Sequence, residues 1–287
     1  MADLQKVENF PLFSQHNQKK FGLDAYFLED GIPKPVVLFI HGFNGFKDWG
    51  HFNLIGDYFA RQGFVWVKFN LSHNGTAYEQ PTHFVDEEAY AHDYFSRDLD
   101  DISTVLDFLG SADCPFASQM DLNRVAIIGH SRGGALALLK AGEDTRLKAV
   151  ATWASITSTL HFWNPQNIET VRRDGQIGVY NGRTKQQLYL SYEYYEDVLK
   201  NPERLDVERA VRNLTIPTLI AHGTSDESIS PQSAETLLQW QPNAQLHWVE
   251  GANHTFGGKE PWETDTLPAF TLALAENTLA FLKQHLS

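Results

Sequence analysis

An α/β fold with a mostly parallel central sheet flanked by helices is what this sequence predicts, and three observations carry the prediction. Apolar runs of strand length alternate with helix-length periodic segments along most of the chain, the pattern of βαβ units. Several of those runs, Val36–Ile40 among them, are apolar at every position rather than at alternate ones, as strands covered on both faces are. A length of 287 residues with 42% hydrophobic content suffices for one sizeable core, so a single domain over 1–287 is expected.

The elements follow in order. An antiparallel start is expected around Lys20–Leu28, then a buried strand over 35–42 and a helix over Asn53–Gln62. Residues 64–70 read as another buried strand. From His92 to Leu109 the apolar positions Phe95, Leu99, Ile102, Leu106 and Leu109 recur three or four apart with acids between them, which makes an amphipathic helix covering one sheet face. A strand over 124–130 runs straight into an Ala- and Leu-rich helix that ends near Gly142, and two further strands lie at 149–155 and 217–223. The stretch between them, about 156–216, is longer than a usual crossover and rich in Tyr, Trp and Asn; it is expected to form a mostly helical cap. Ala234–Trp240 is a short helix, 246–251 a last strand and Leu267–Leu286 a closing helix. No internal repeat and no Pro/Gly/Ser-rich linker interrupts this order.

Composition narrows the function classes. The formal net charge is −13, and the 23 Lys and Arg residues form no stripe, so nucleic acid is not expected as a partner. The acidic balance favours solubility and mildly repels anions in bulk solvent. A single cysteine, Cys114, sits in a loop-like stretch with no basic neighbour and reads as a bystander. The N-terminal residues lack the regions of a secretory signal, so a cytoplasmic location is the expectation. Apolar runs are too short to span a bilayer, and no membrane association is expected. The chain has 12 His but no H-E-x-x-H, Cys/His pair or acidic calcium loop, so neither a metal nor another cofactor is expected.

The strongest local signal is Gly129-His130-Ser131-Arg132-Gly133, a G-x-S-x-G run between a predicted strand and a predicted helix. That context is what a nucleophile elbow needs: a strained serine exposed at the strand end, with small flanking residues where strand and helix pass closely. A serine hydroxyl needs a base to take its proton, and His254, after the last predicted strand, lies at the same sheet edge. Asp226, after the strand over 217–223, falls between the two in chain order and would fix the His254 tautomer. Its neighbour Glu227 is chemically capable of the same, and Asp226 would alternatively cap a turn. Backbone N–H groups of Phe43 and of Arg132, the residue after the serine, are placed to receive a developing oxyanion.

With these four parts in order, the chain resembles the α/β-hydrolase superfamily from about Lys20 to its end. The H-G-F loop at His41, the G-H-S-R-G-G elbow, the S-D-E-S acid loop and the G-A-N-H base loop are similar to those of bacterial carboxylesterases. Feruloyl or cinnamoyl esterases and dienelactone-hydrolase-like and prolyl-oligopeptidase-like enzymes share these signatures. The resemblance implies an α/β-hydrolase fold and ester hydrolysis through an acyl-enzyme. Thioester or amide hydrolysis uses the same atoms, and a non-catalytic binding protein on the same fold is the alternative of another class. Arg132 stands where many relatives carry Gln or Met; its side chain either anchors the cap or meets a substrate carboxylate. His73 lies in a loop similar to the family's G-H-G-x-S loop, while His41 fits a structural histidine or a site residue equally. His41, His73, His130, Trp153 and Trp163 are candidates to contact substrate. The aromatics of the insertion, such as Phe162, Tyr194 and Tyr195, suit small or medium hydrophobic esters or simply glue the cap to the domain. The expected partner is thus a small-molecule ester, with a homodimer left open.

Overall fold

The computed structural model describes residues 3–286. In chain order its elements are strands β1 (Asp3–Phe13), β2 (Lys20–Glu29) and β3 (Lys34–Ile40), helix α1 (Phe52–Arg61), strand β4 (Val65–Phe69), a small hairpin of β5 (Thr76–Ala77) and β6 (Gln80–Phe84), and helices α2 (Glu87–Ala91) and α3 (Phe95–Leu109). Strand β7 (Met120–His130), helix α4 (Arg132–Glu143) and strand β8 (Leu147–Trp153) follow. The insertion then contributes α5 (Pro165–Asp174), β9 (Gln176–Asn181), β10 (Gln186–Ser191), α6 (Tyr192–Lys200) and α7 (Val207–Arg212). The chain closes with β11 (Thr218–Gly223), α8 (Gln232–Trp240), β12 (Gln245–Val249) and α9 (Ala269–His285).

Eight strands form one sheet in the order β1-β2-β4-β3-β7-β8-β11-β12. From β4 to β12 every neighbouring pair is parallel, while β2 runs antiparallel to both β4 and β1. Side chains alternate across it as the strand period requires. Val36, Leu38 and Ile40 face one core layer with Leu99 and Ile102 of α3 and Leu136 of α4, whereas Val37 and Phe39 face the other with Phe59 of α1 and Leu274 and Leu282 of α9. Both faces being covered explains why the central strands carry no polar alternation.

Two features depart from the sequence expectation. Strand β1, with its half-exposed pattern and a register shift between Val7 and Phe10, precedes the expected antiparallel start. The insertion is mixed rather than mostly helical: β9 and β10 pair antiparallel from Gln176 to Ser191. Gly175 ends α5 at φ 76, a left-handed turn that reverses the chain into the hairpin. Leu188 and Leu190 point inward while Tyr189 and Tyr180 remain exposed, the alternation of a one-sided ribbon. Among the described residues no helix is long and apolar enough to cross a membrane.

Candidate active site

Ser131 sits between the end of β7 and the start of α4 with φ 57 and ψ −119. For a non-glycine residue this backbone costs on the order of 1–3 kcal/mol, so neighbouring bonds must impose it. The Ser131 N–H donates to the Trp153 carbonyl at 2.9 Å, and the Gly134 N–H donates to the Ser131 carbonyl at 2.9 Å. The flanking glycines are sterically required. A Cβ at Gly129 would come within 1.9 Å of the Gly133 carbonyl oxygen, and one at Gly133 within 2.3 Å of the Ile40 carbonyl oxygen. The elbow therefore exists because strand β7, helix α4 and strand β3 approach one another without side chains between them.

Loops leaving β11 and β12 bring the acid and the base to the same edge. His254 Nε2 lies 3.0 Å from Ser131 Oγ, and its Nδ1 lies 2.8 Å from Asp226 Oδ2. With Nδ1–H donating to the carboxylate, Nε2 is left to accept from the serine hydroxyl. Asp226 Oδ1 accepts from the backbone N–H groups of Ser228 and Ile229 at 2.9 and 2.8 Å. His222 adds a contact that sequence reading missed: its Nε2–H is shared between the Ile229 carbonyl, 3.0 Å away, and Asp226 Oδ2 at 3.2 Å. Burial alone would raise the Asp226 carboxyl. The hydrogen bonds from His222, His254 and the Ile229 N–H outweigh it and hold the group well below the usual carboxylate range. Asp226 is thus ionised, its Oδ2 facing His254 and His222 and its Oδ1 held by the loop N–H groups; Glu227 is exposed.

On the other side of Ser131, the loop after β3 approaches so closely that a Cβ at Gly42 would meet Ser131 Cβ at 3.0 Å. Among the described residues the Phe43 N–H has no protein acceptor, and the Arg132 N–H, at the first position of α4, has no intrahelical one. This loop is held from beneath. Lys47 and Lys68 each bridge Asp24 and Asp48, with Lys47 Nζ 2.8 Å from Asp24 and 2.6 Å from Asp48. The Lys47 N–H donates to Asn70 Oδ1 at 2.7 Å, Asn74 Nδ2 to the Gly45 carbonyl at 3.2 Å and Tyr90 Oη to Asn44 Oδ1 at 2.7 Å. Alternating buried charges of this kind stand only as a complete network.

Two cavities open on Ser131. The larger, about 280 Å³, lies beneath the insertion and is walled by Phe95, Ile156, Phe162, Leu190, Tyr194 and Ile229. The smaller, about 120 Å³, is bounded by Trp49, Phe52, His130 and Thr255. Phe43 and His254 border both. A larger hollow of about 470 Å³ by Phe281 and His285 borders none of these groups. Among the described residues no three His, Cys, Asp or Glu side chains converge as a metal site would need.

The structure distributes the remaining sequence candidates differently. His130 borders the smaller cavity and donates from Nε2 to the His254 carbonyl at 2.9 Å; burial and the charge of His254 push it down to about 3. His41 is a structural histidine: its Nδ1–H donates to the Gly42 carbonyl at 2.9 Å, its Nε2 accepts from the Leu71 N–H at 3.3 Å, and burial lowers it to about 4. His73 is buried against Ser72 Oγ at 2.7 Å and borders neither cavity. Trp153 points to the opposite face of the sheet, where its Nε1–H donates to Thr278 of α9 at 3.1 Å. Trp163 packs inside the insertion against Tyr194 and Tyr195, behind the cavity wall. Strand alternation and local loop bonding, rather than residue type, decided these placements. Arg132 was open between two roles, and its guanidinium reaches Asp93 and Asp98 beside the cap residue Tyr194.

The architecture agrees with solved structures. An esterase domain from a Rhodothermus marinus protein superposes at a TM-score of 0.65 with 18% identity, covering 99% of this chain and 100% of that one. Est1E from Butyrivibrio proteoclasticus, solved with ferulic acid bound, superposes at 0.71 with 18% identity over 96% and 98% of the two chains. At such identity the likeness speaks for the α/β-hydrolase fold alone. A curated relative, the uncharacterized peptidase YuxL of Bacillus subtilis (strain 168), is 27% identical over 146 residues, which is 51% of this chain and 20% of that protein. This chain therefore matches about a fifth of the relative's length. Residues 51–286 match the prolyl oligopeptidase family, covering both the elbow and the loops that bring Asp226 and His254 to it, and the chain belongs to that family of serine hydrolases.

Proposed function

We propose that the chain is a single catalytic unit that hydrolyses carboxylic esters through an acyl-enzyme on Ser131. The observation that carries this is the unbroken relay of 2.8 and 3.0 Å from Asp226 through His254 to a conformationally strained serine that opens onto an apolar cavity. His254 Nε2 takes the Ser131 proton as Oγ attacks the ester carbonyl. The resulting oxyanion rests on the N–H groups of Phe43 and Arg132. His254 then returns the proton to the departing alcohol, and a water repeats the cycle to release the acid. The larger cavity suits the acyl group and the smaller one the alcohol, so the preferred substrates are esters with one bulky apolar side and one compact side.

Hydrolysis of p-nitrophenyl esters from acetate to decanoate, beside Ser131→Ala and with an organophosphonate probe followed by mass spectrometry, tests this reading. Labelling confined to Ser131, activity lost in the variant and a rate maximum at medium acyl length are expected; a wild type that neither labels nor turns over overturns it. EDTA is expected to leave the rate unchanged. Amide hydrolysis is the second reading, favoured by the family match and by the relative named as a peptidase. Peptidyl p-nitroanilides run in the same series separate the two by their ratio of kcat/KM.

A further inference from the structure

Among the described residues, Arg132 is the one lining the larger cavity that carries a fixed positive charge, and that charge is already engaged. The side chain is buried. Its Nη1 lies 3.2 Å from Asp93 Oδ2, and its Nη2 donates to the Asp93 carbonyl at 2.8 Å and lies 2.6 Å from Asp98 Oδ2. The guanidinium also sits over the rings of Phe95 at 4.4 Å and Tyr194 at 5.8 Å. Two buried acids thus face one buried cation. Burial pushes both carboxyls above the ordinary range against the pull of Arg132, most strongly for Asp98. With carboxylate oxygens 3.2 and 2.6 Å from its nitrogens, the guanidinium has its charge offset inside the protein. The next charges around it, Arg97 and Asp101, are one of each sign.

We propose that Asp93 and Asp98 determine the charge specificity of the site: by occupying the guanidinium of Arg132 they deny a cation to the cavity beside Ser131 and confine it to uncharged acyl groups. This rests on the ester-hydrolase reading above. A carboxylate brought into that cavity would lose its water and find no counter-charge. Of the two histidines lining the cavity, His254 is engaged with Asp226 and Ser131, and His161 of the insertion is pushed below the ordinary imidazole range by burial and by His254, so it offers no cation near neutral pH. Had either acid been absent, the remaining one would ionise and still hold Arg132. Only the loss of both would free it.

The experiment compares p-nitrophenyl 4-methylpentanoate with mono-p-nitrophenyl succinate, its near-isostere with a carboxylate in place of the isopropyl group, at pH 7. Wild type is expected to favour the uncharged ester by at least about 100-fold in kcat/KM, the consequence of burying an unpaired charge. Asp93→Asn and Asp98→Asn singly are expected to keep that ratio within about threefold, whereas the double variant lowers it at least about tenfold by offering the succinyl carboxylate a partner. A purely structural role would depress both esters in parallel and leave the ratio unmoved. The proposal is overturned if wild type turns over the two esters equally, a result that needs no variant to fold, or if the double variant hydrolyses the uncharged ester with the wild-type ratio. Failure of the hydrolase reading looks different, since wild type would then turn over neither.

Discussion

The sheet edge and the insertion above it enclose one cavity but are built on different physical terms. At the edge, Ser131, Asp226 and His254 stand on loops leaving parallel strands whose mutual spacing is fixed by backbone hydrogen bonds and by glycines with no room for a Cβ. The insertion rests on the core through side chains instead. Asp197 of α6 accepts from Ser96 N–H at 3.0 Å and from Ser96 Oγ at 2.5 Å, satisfying from outside the first turn of α3, where the helix dipole favours an anion. Gln186 of β10 donates to the Phe84 carbonyl at 2.9 Å, and Ser191 lies 3.2 Å from His92 Nδ1. An edge made of backbone holds reacting atoms in place, whereas a cover made of side-chain contacts adjusts to what it encloses. Changes at the edge should therefore act on kcat, and changes in the cover on KM.

The largest expected effect comes from the edge. Ser131→Ala should lower kcat/KM for p-nitrophenyl butyrate by roughly 10⁴-fold or more, with an unchanged circular dichroism spectrum because the elbow is imposed by its neighbours. Retained turnover would show that the edge is scaffold only. Asp226→Asn should follow, at roughly 10³–10⁴-fold in kcat with little change in KM, because an amide no longer secures the tautomer in which His254 Nε2 accepts. A rise confined to KM would contradict the division between edge and cover.

Acid should weaken the edge. His130 and His41 are held neutral by burial, at about 3 and about 4, while an unfolded histidine takes its proton near 6.5. Below pH 6.5 the unfolded chain therefore binds protons that these folded sites refuse. The stability they contribute is complete above that pH and is lost progressively as it falls toward 4 and 3. The depressed Asp226 carboxyl works in the same direction at lower pH: its contribution is present above the ordinary carboxylate range and lost on descending through it. Thermal midpoints measured from pH 7 to 4 should fall for wild type, and His41→Asn should fall less steeply; parallel curves would remove these histidines from the account.

How much was legible in the sequence follows the same division. The order of Ser131, Asp226 and His254, and the strands that carry them, could be read because each demand is local: a G-x-S-x-G run between a strand and a helix, or an acid just past an apolar run. The hairpin β9–β10 could not. Its residues 176–191 alternate weakly and are flanked by helices, so nothing short of the Gly175 turn announces it. Trp153 faces away from Ser131 because a one-residue step along β8 reverses the face of the sheet. The pairing of Arg132 with Asp93 and Asp98 joins segments 39 and 34 positions apart and leaves no periodic trace. His222 stands inside an apolar strand, where the spacing of four residues to Asp226 was the available signal.

A moderate effect is expected where the cover meets the core. Asp197→Ala removes the acceptor for two donors of Ser96 at the start of α3 and should cost about 2 kcal/mol, the scale of hydrogen bonds to a charged group. The same change should raise KM for medium-chain esters several-fold and leave kcat within about twofold, as read from initial rates beside urea unfolding. A fall in kcat of more than tenfold would mean that the cover helps to build the reactive geometry.

The smallest expected effect marks the outer limit of the comparison. Arg212 and Glu208 lie four residues apart on α7, with nitrogen and oxygen 2.7 Å apart and side chains about half exposed at 53% and 48%. Such a pair gains little Coulomb energy in water and loses side-chain freedom in forming, so exposed helical pairs contribute about 0.3–0.5 kcal/mol. Arg212→Ala should thus shift the urea midpoint barely beyond error and leave both kcat and KM unchanged, even though α7 belongs to the insertion. A loss above about 1.5 kcal/mol, or any change in KM, would show that the solvent face of the insertion is coupled to the cavity, and that the contacts of Asp197 and Gln186 are not the ones that hold the cover in place.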